Sequence, residues 1–319
     1  MPQKAPIALI GAGVIGRTHI DRLQQSSRAR MCAIADPTAA GQALAEAAGV
    51  PCYASHAELL AAHRPAGAIV ATPNATHVPV ALDFLAAGVP VLVGHHRRHN
   101  PILQRARQLM QEGRLGRVVA AQAMATFLKP DAYFEAAWRR QAGGGPVLIN
   151  LIHDIDMLCF LLGEVRAVQA FASNATRGFE VEDTAVASLQ FASGALGTVM
   201  VSDTATAPWC WDFCAGEQPQ YPRQAVNSHF IAGTQGSLSL PDLSLWHYAG
   251  DRSWHAEMTR SQTAVHAADP YTRQLEHFVD LIEGRATVPL CSAVDGLRTL
   301  AATLAISDAA ERGCTVALG

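Results

Sequence analysis

Ile7-Ala-Leu-Ile10 runs straight into Gly11-Ala-Gly13-Val14-Ile15-Gly16, and that junction decides the first fold assignment. The apolar run reads as a buried strand, and Gly16 to Gln25 as a helix. The three glycines have separate uses at such a junction. Gly11 permits the tight turn, Gly13 lets backbone approach a pyrophosphate, and Gly16 packs helix against strand. Val14 and Ile15 complete the turn, whose anion would rest on the N–H groups of the helix N-terminus. Asp36 ends a second strand, Met31 to Ala35, twenty residues beyond Gly16. A carboxylate there accepts the two ribose hydroxyls of NAD and repels the 2′-phosphate of NADP, so the expected cofactor is NAD rather than NADP. Ala71-Thr72-Pro73-Asn74-Ala-Thr76-His77 follows a later strand at the same carboxyl edge. Thr72, Asn74 and His77 offer polar groups to a nicotinamide ribose, and a helix N-cap by Asn74 or Thr76 is the alternative use.

Outward from that junction, strands and helices alternate. Thr38 to Ala48 and His77 to Ala87 read as helices, and Ala68 to Ala71 as a strand. The string Ala-Ala-Gly-Val-Pro occurs at 47–51 and again at 86–90, each time placing a glycine where a helix stops. Continuous apolar strands spaced by helices predict a parallel sheet covered on both faces. Beyond residue 113 the rhythm changes. Val118 to Phe127 reads as a strand and Pro146 to Leu162 as a helix. Hairpins follow over Ala185 to Ser202 and His229 to Leu240, with an irregular stretch from Asp203 to Asn227 between them. Two helices, Pro270 to Gly284 and Ser292 to Arg312, end the chain. The predicted class is α/β: a dinucleotide-binding domain over 1–112, and an α+β domain over 113–319 with an open-faced, mostly antiparallel sheet.

With 319 residues, 50% hydrophobic and 16% charged, the chain has ample material for two cores and does not read as disordered. A formal net charge of −3 supplies no basic field for nucleic acid or for an anionic membrane. Seven dispersed cysteines include no Cys-x-x-Cys pair, so no metal site is expected and the thiols read as buried residues of a reducing compartment. No signal peptide or membrane span is visible, and the expected location is the cytoplasm. Lysine is nearly absent: Lys4 and Lys129 are the only two.

Several pieces together resemble the Gfo/Idh/MocA oxidoreductases: Gly-Ala-Gly-Val-Ile-Gly-Arg-Thr-His (11–19), Ala-Thr-Pro-Asn-Ala-Thr-His (71–77), Gly-His-His-Arg-Arg-His-Asn-Pro (94–101), Gly-Arg-Leu-Gly-Arg-Val (113–118), Gly-Gly-Gly-Pro-Val-Leu-Ile-Asn-Leu-Ile-His-Asp-Ile-Asp (143–156) and Asp-Pro-Tyr-Thr-Arg-Gln-Leu-Glu-His-Phe (269–278). The resemblance implies an NAD(P)-binding Rossmann domain followed by an open-faced sheet domain. It also implies oxidation of a hydroxyl on a sugar, polyol or inositol, and assembly as a homodimer or homotetramer through the C-terminal sheet. His153 matches the family's catalytic histidine. A neutral imidazole accepts the hydroxyl proton as hydride leaves the same carbon. Asp156, one helical turn on, is placed to orient the ring.

The chain departs from the family in two places. The family's Glu-Lys-Pro lysine is missing, because Val91 to Gly94 runs directly into His95-His-Arg-Arg, and the Rossmann sheet is therefore expected to be shortened. The family's aspartate position is Ile149, with Asn150 beside it, which can position a hydroxyl but cannot take its proton. Lys129, after the first strand of the second domain, either binds substrate in place of the lost lysine or is a solvated surface residue. Trp138 with Arg139, and Trp209 with Trp211, either shape a sugar pocket or pack. His95 and His96, read as neighbours on a strand, would point to opposite faces and could not share a metal ion. Arg97 or Arg98 would line the cleft. The expected function is an NAD(P)-dependent oxidoreductase of a small sugar, polyol or inositol-like molecule. The alternative is a non-catalytic dinucleotide- or sugar-binding relative.

Overall fold

A computed structural model describes residues 4–319, so the first three residues of the expected 1–112 domain lie outside the described residues. The chain divides into two compact units. One runs to His99 and takes back Ala268–Ser292; the other comprises Asn100–Ala267 and Ala293–Gly319. A single cut at 112 does not provide for the returning segment.

In the first unit, β1 (Ala5–Ile10), β2 (Ala29–Ala35), β3 (Cys52–Tyr53), β4 (Gly67–Val70) and β5 (Val91–Leu92) form a parallel sheet in the order β3-β2-β1-β4-β5. Pairing sets Leu9 opposite Ile34 on one side and Ile69 on the other. This is the Rossmann order, shortened to five strands among the described residues. The helices are α1 (Val14–Gln25), α2 (Ala39–Ala48), α3 (His56–Ala62) and α4 (Asn74–Ala86). Ala-rich α2 starts where the Thr38 hydroxyl accepts the Gly41 N–H, and it ends at left-handed Gly49. Short β3 and α3 were not legible beforehand, having two and seven residues with little periodicity.

A helix from far along the chain, α8 in chain order (Pro270–Ile282), completes this unit's core. Its Leu275, Phe278 and Val279 are buried with Ile7, Leu9, Leu23 and Ile34. Asp269 caps the helix by accepting the Tyr271 N–H, and also pairs with Arg22 of α1 at 2.6 Å. Tyr271 stacks on His96 (4.1 Å between centroids) and meets His19 edge-on. Burial pushes His19 down to about 4, helped by His96 and Arg22, so it packs as a neutral ring. The strand expected through His95 and His96 is instead a buried 3₁₀ turn, His96–His99. Its geometry comes from Gly94, whose carbonyl accepts the His96 N–H, and Arg98 donates to the Leu290 carbonyl at 3.1 Å.

The second unit is built on a sheet of nine strands among the described residues, ordered β13-β12-β11-β10-β6-β9-β8-β7-β14. They are β6 (Val118–Thr126), β7 (Val165–Ser173), β8 (Thr184–Phe191), β9 (Leu196–Ser202), β10 (His229–Gly233), β11 (Gly236–Leu240), β12 (Ser244–His247), β13 (Thr259–Gln262) and β14 (Val316–Ala317). Every pairing is antiparallel except β6 with β9. The unit's helices are α5 (Pro101–Gln111), α6 (Ile152–Leu162), short α7 (Trp211–Cys214) and α9 (Ala293–Arg312). Strict alternation along β8 buries Ala185, Ala187, Leu189 and Phe191 and exposes the residues between them. Helices α6 and α9 pack on β6 and β7, while Phe171, Val186, Leu196 and Phe230 stand exposed.

Phe278→Ala, although 200 residues downstream of the sheet it packs with, is expected to cost about 3–5 kcal/mol of stability. Urea unfolding followed by circular dichroism should show the midpoint falling with little change in slope.

Candidate functional site

Each unit holds one group of candidate residues. In the first, the carboxyl ends of β1 and β4 flank the point where strand order reverses, the place where such sheets take ligands. Gly11 has φ +91°, and a Cβ there would lie 2.6 Å from the Ala71 carbonyl oxygen, so the turn and the Ala71–Thr72 segment touch. A Cβ on Gly16 would collide with the Gly11 carbonyl. Gly13 differs: a Cβ would meet nothing within 4 Å. The fold closes around the first and third glycines and leaves space over the second. Helix α1 begins there with no side-chain cap and no acidic residue in its first turn, so its leading N–H groups are presented to a ligand. Val14 and Ile15 are exposed on this turn, at 74% and 48%.

Asp36 accepts the Ala12 N–H at 2.7 Å on one oxygen, and the N–H and hydroxyl of Thr38 on the other. Its partial burial pushes the carboxyl up, but the bonds from the Thr38 hydroxyl, Ala12 and Thr38 N–H outweigh it and hold the pKa below the ordinary value. The residue expected to meet a ribose therefore also braces the glycine turn. The Thr72 carbonyl accepts from the His77 ring at 2.6 Å, and the Thr72 hydroxyl accepts from Thr76 at 2.8 Å. Asn74 is the first residue of α4, exposed, and Pro73 rather than Asn74 or Thr76 holds the cap position.

These residues fit a dinucleotide: an open Gly13, an uncapped helix end and a firmly ionised carboxylate at the neighbouring strand.

The second group lies around the start of α6. Val147–Leu151 forms a π turn that runs into the helix, so the expected regular helix from Pro146 is widened at its start. Glu182 sets this up by accepting the Val147 N–H at 2.9 Å. A Cβ on Gly145 would collide with that carboxylate and displace it. Such turns concentrate at functional sites because they re-aim side chains. Here Asn150 Oδ1 accepts a hydrogen bond from Lys129 Nζ at 2.8 Å.

Lys129 is not a solvated surface lysine: it is 7% exposed. The Asp203 carboxylate lies 3.4 Å from its Nζ and the Tyr133 ring 4.6 Å away. Burial lowers its pKa; Asp203 opposes that shift, while Arg139 and Arg177 add to it. Asp203 is itself 2% exposed and shares its other oxygen with Arg177 Nε at 3.1 Å. Burial raises the Glu182 carboxyl against the Val147 N–H that stabilises its charge.

His153 is half-buried in the first turn of α6, and Asp156 accepts from Thr299 at 3.0 Å. Trp211 is fully buried and donates to Glu217, so it is core rather than pocket. Trp138 and Trp209 are about half exposed. Arg139 lies over Tyr133 at 3.9 Å.

Sequence reasoning passed over Asp203, Arg177 and Glu182. They lie in the segments that join or follow β7, β8 and β9, and no local motif marks them. Among the described residues no cluster of three or more metal-ligating side chains occurs, and no helix is long and apolar enough to cross a membrane.

The fold and its glycine turn define the Rossmann class of dinucleotide-binding domain. Residues 6–108 match the NAD-binding Rossmann domain of the oxidoreductase family, and 103–239 match the Gfo/Idh/MocA C-terminal domain. The chain belongs to the Gfo/Idh/MocA family. It is 30% identical to the 1,5-anhydro-D-fructose reductase of Ensifer adhaerens over 71% of this chain and 64% of that protein. It is 27% identical to an inositol 2-dehydrogenase of Rhizobium meliloti over 95% of each. Two of the curated relatives it matches are spanned over only 57% and 64% of their length. Among solved structures, the WlbA dehydrogenase from Bordetella pertussis, in complex with NADH and UDP-GlcNAcA, superposes with a TM-score of 0.79 at 24% identity, covering 99% of both chains.

Gly13→Val is expected to leave the melting temperature nearly unchanged, since the position is open, and to weaken NADH binding at least tenfold, about 1.4 kcal/mol. Titration by nicotinamide fluorescence, beside a thermal melt, checks both halves.

Proposed function

We propose that this chain transfers hydride between NAD and a hydroxyl or carbonyl of a sugar, polyol or inositol-like molecule. The carrying observation is the open glycine turn braced by an ionised Asp36 in a chain of this family. The sugar and inositol activities of relatives support the substrate class. The preference for NAD over NADP rests on the position of the Asp36 carboxylate, just past the end of β2 and beside the glycine turn, where a negative charge accepts ribose hydroxyls and repels a 2′-phosphate. In this reading Gly11, Gly13, Val14, Ile15 and Gly16 hold the pyrophosphate, and Thr72, Asn74 and His77 serve the nicotinamide ribose. The bound nicotinamide supplies the hydride acceptor or donor.

The remaining chemistry belongs to the second unit. His153 takes the hydroxyl proton during oxidation and returns it during reduction. Lys129 donates a hydrogen bond to the reacting oxygen, with Asn150 fixing the ammonium from the other side. Lys129 thereby takes over from the lysine that the family carries after the fifth strand, where this chain passes directly from β5 into the His96–His99 turn. That same loss favours a second reading, a dinucleotide- or sugar-binding relative without turnover.

We further propose that the exposed apolar face of the nine-stranded sheet, with Phe171, Val186, Leu196 and Phe230, meets a second copy to form a homodimer or homotetramer. The proposed compartment is the cytoplasm, whose reducing pool suits seven cysteines that form no disulfide.

Incubation with NAD and a panel of sugars, polyols, inositols and their acids tests the main reading, with reduced nicotinamide followed at 340 nm. Turnover should appear with at least one of them. His153→Ala should lower kcat by about 10²–10⁴-fold with NADH affinity kept. No turnover from any substrate, with NADH still bound, leaves the non-catalytic reading in place. Leu196→Arg should shift the protein towards monomer in analytical ultracentrifugation.

A further inference from the structure

Lys129 is buried, cationic and one of two lysines in the chain, so the groups that hold it are identifiable one by one. Burying an ammonium carries a desolvation cost of several kcal/mol unless a counter-charge and hydrogen bonds meet it. Asp203, at the end of β9, is the carboxylate that does so, at 3.4 Å from Nζ. The same carboxylate also receives Arg177 Nε at 3.1 Å on its other oxygen.

Arg177 is locked in turn. Its Nη2 donates to the backbone carbonyls of Lys129 (2.9 Å) and Asp203 (2.7 Å), and its guanidinium lies 4.1 Å from the Phe134 ring. Its own N–H, with that of Thr176, donates to Asp183. The Lys129 N–H donates to the Asp203 carbonyl at 2.9 Å, so the two backbones are tied beneath the ion pair. One anion therefore serves two cations.

We propose that Asp203 and Arg177 are positioning residues for Lys129: Asp203 holds the ammonium in place and charged, and Arg177 takes a share of that carboxylate and keeps the hold partial. A lysine that met both carboxylate oxygens as well as the Asn150 amide would have all three N–H groups engaged and none to offer a substrate oxygen. One held by half a carboxylate and the Asn150 amide oxygen has one to spare. Other groups surround the ammonium. Tyr133 and Arg139 come from the 131–140 segment and Glu182 from the loop entering β8, while exposed Asp131 draws on Arg177 at 3.5 Å. The lowered pKa of Lys129, from burial and from Arg139 and Arg177 against Asp203, agrees with a contested anion.

This inference rests on the reading of Lys129 as a substrate-facing group, yet its test runs without turnover. The full-length protein is acylated with trace acetic anhydride between pH 6 and 11, and the Lys129 peptide is quantified by mass spectrometry. With only Lys4 and the terminal amine as other reactive amines, the titration of Lys129 is read cleanly.

Asp203→Asn should move the Lys129 midpoint down by about one pH unit or more, and Arg177→Gln should move it up by about one. Opposite shifts support the clamp. Midpoints unchanged, shifts of the same sign, or a Lys129 that acylates at no pH would each overturn it. Where Asp203→Asn does not fold, Arg177→Gln decides alone, since Asp203 keeps Lys129 as its partner. In turnover, Asp203→Asn should lower kcat about tenfold or more at pH 7 and shift the pH profile, with the NADH Kd unmoved. An inactive wild-type protein that still shows the opposite labelling shifts would sink the oxidoreductase reading while leaving the clamp standing.

Discussion

A single carboxylate, that of Asp203, serves two cations, buried Lys129 and partly buried Arg177, and the arrangement around α6 depends on it. Without that charge, Lys129 would be an uncompensated ammonium in an apolar interior, and the desolvation cost of several kcal/mol would be met by loss of its proton. With it, Lys129 stays put and directs its Nζ at Asn150. Asn150 is reached because the chain widens into a π turn, and the turn is capped by Glu182 across a gap that only Gly145 leaves open. Lysine, asparagine, glycine and both acids thus form one mutually dependent unit. Unlike an exposed salt bridge, it is little screened by salt.

The first unit shows the same economy with a backbone partner. Asp36 braces the turn through Ala12 and sits at the strand edge where a ribose would arrive. Its low pKa makes it structural and recognitional together. Because its folded pKa lies below the unfolded value, the stability it contributes is present above about pH 4 and is lost as acid protonates it.

Much of this was legible in the sequence, for physical reasons. The Gly11–Gly16 turn, Asp36 and the alternating strands have strong local signatures, since positive φ, strand periodicity and helix caps are written in neighbouring residues. The hairpins of the second unit fall within the expected 185–202 and 229–240 spans, turning through Gly194 and through Thr234–Gln235. What failed was non-local. The polar string at 95–99 suggested a strand, but its burial against Tyr271 in a 3₁₀ turn depends on a helix that lies 170 residues later. Lys129 left its surroundings open, because its partners Asn150 and Asp203 come from distant segments. Trp211 looked like a candidate for stacking, yet its ring fills core space and its N–H is satisfied by Glu217. Asp203, Arg177 and Glu182 carry no motif, and only the sheet brings them together.

The return of α8 to the first unit bears on how the chain is made. On the ribosome, the amino-terminal sheet emerges early, but Leu275, Phe278 and Val279, which cover one flank of its core, arrive only after the whole intervening sheet unit has been synthesised. Nascent chains therefore carry a half-covered apolar surface through most of translation. The second unit, largely continuous in sequence, has the opportunity to fold ahead of the one that precedes it.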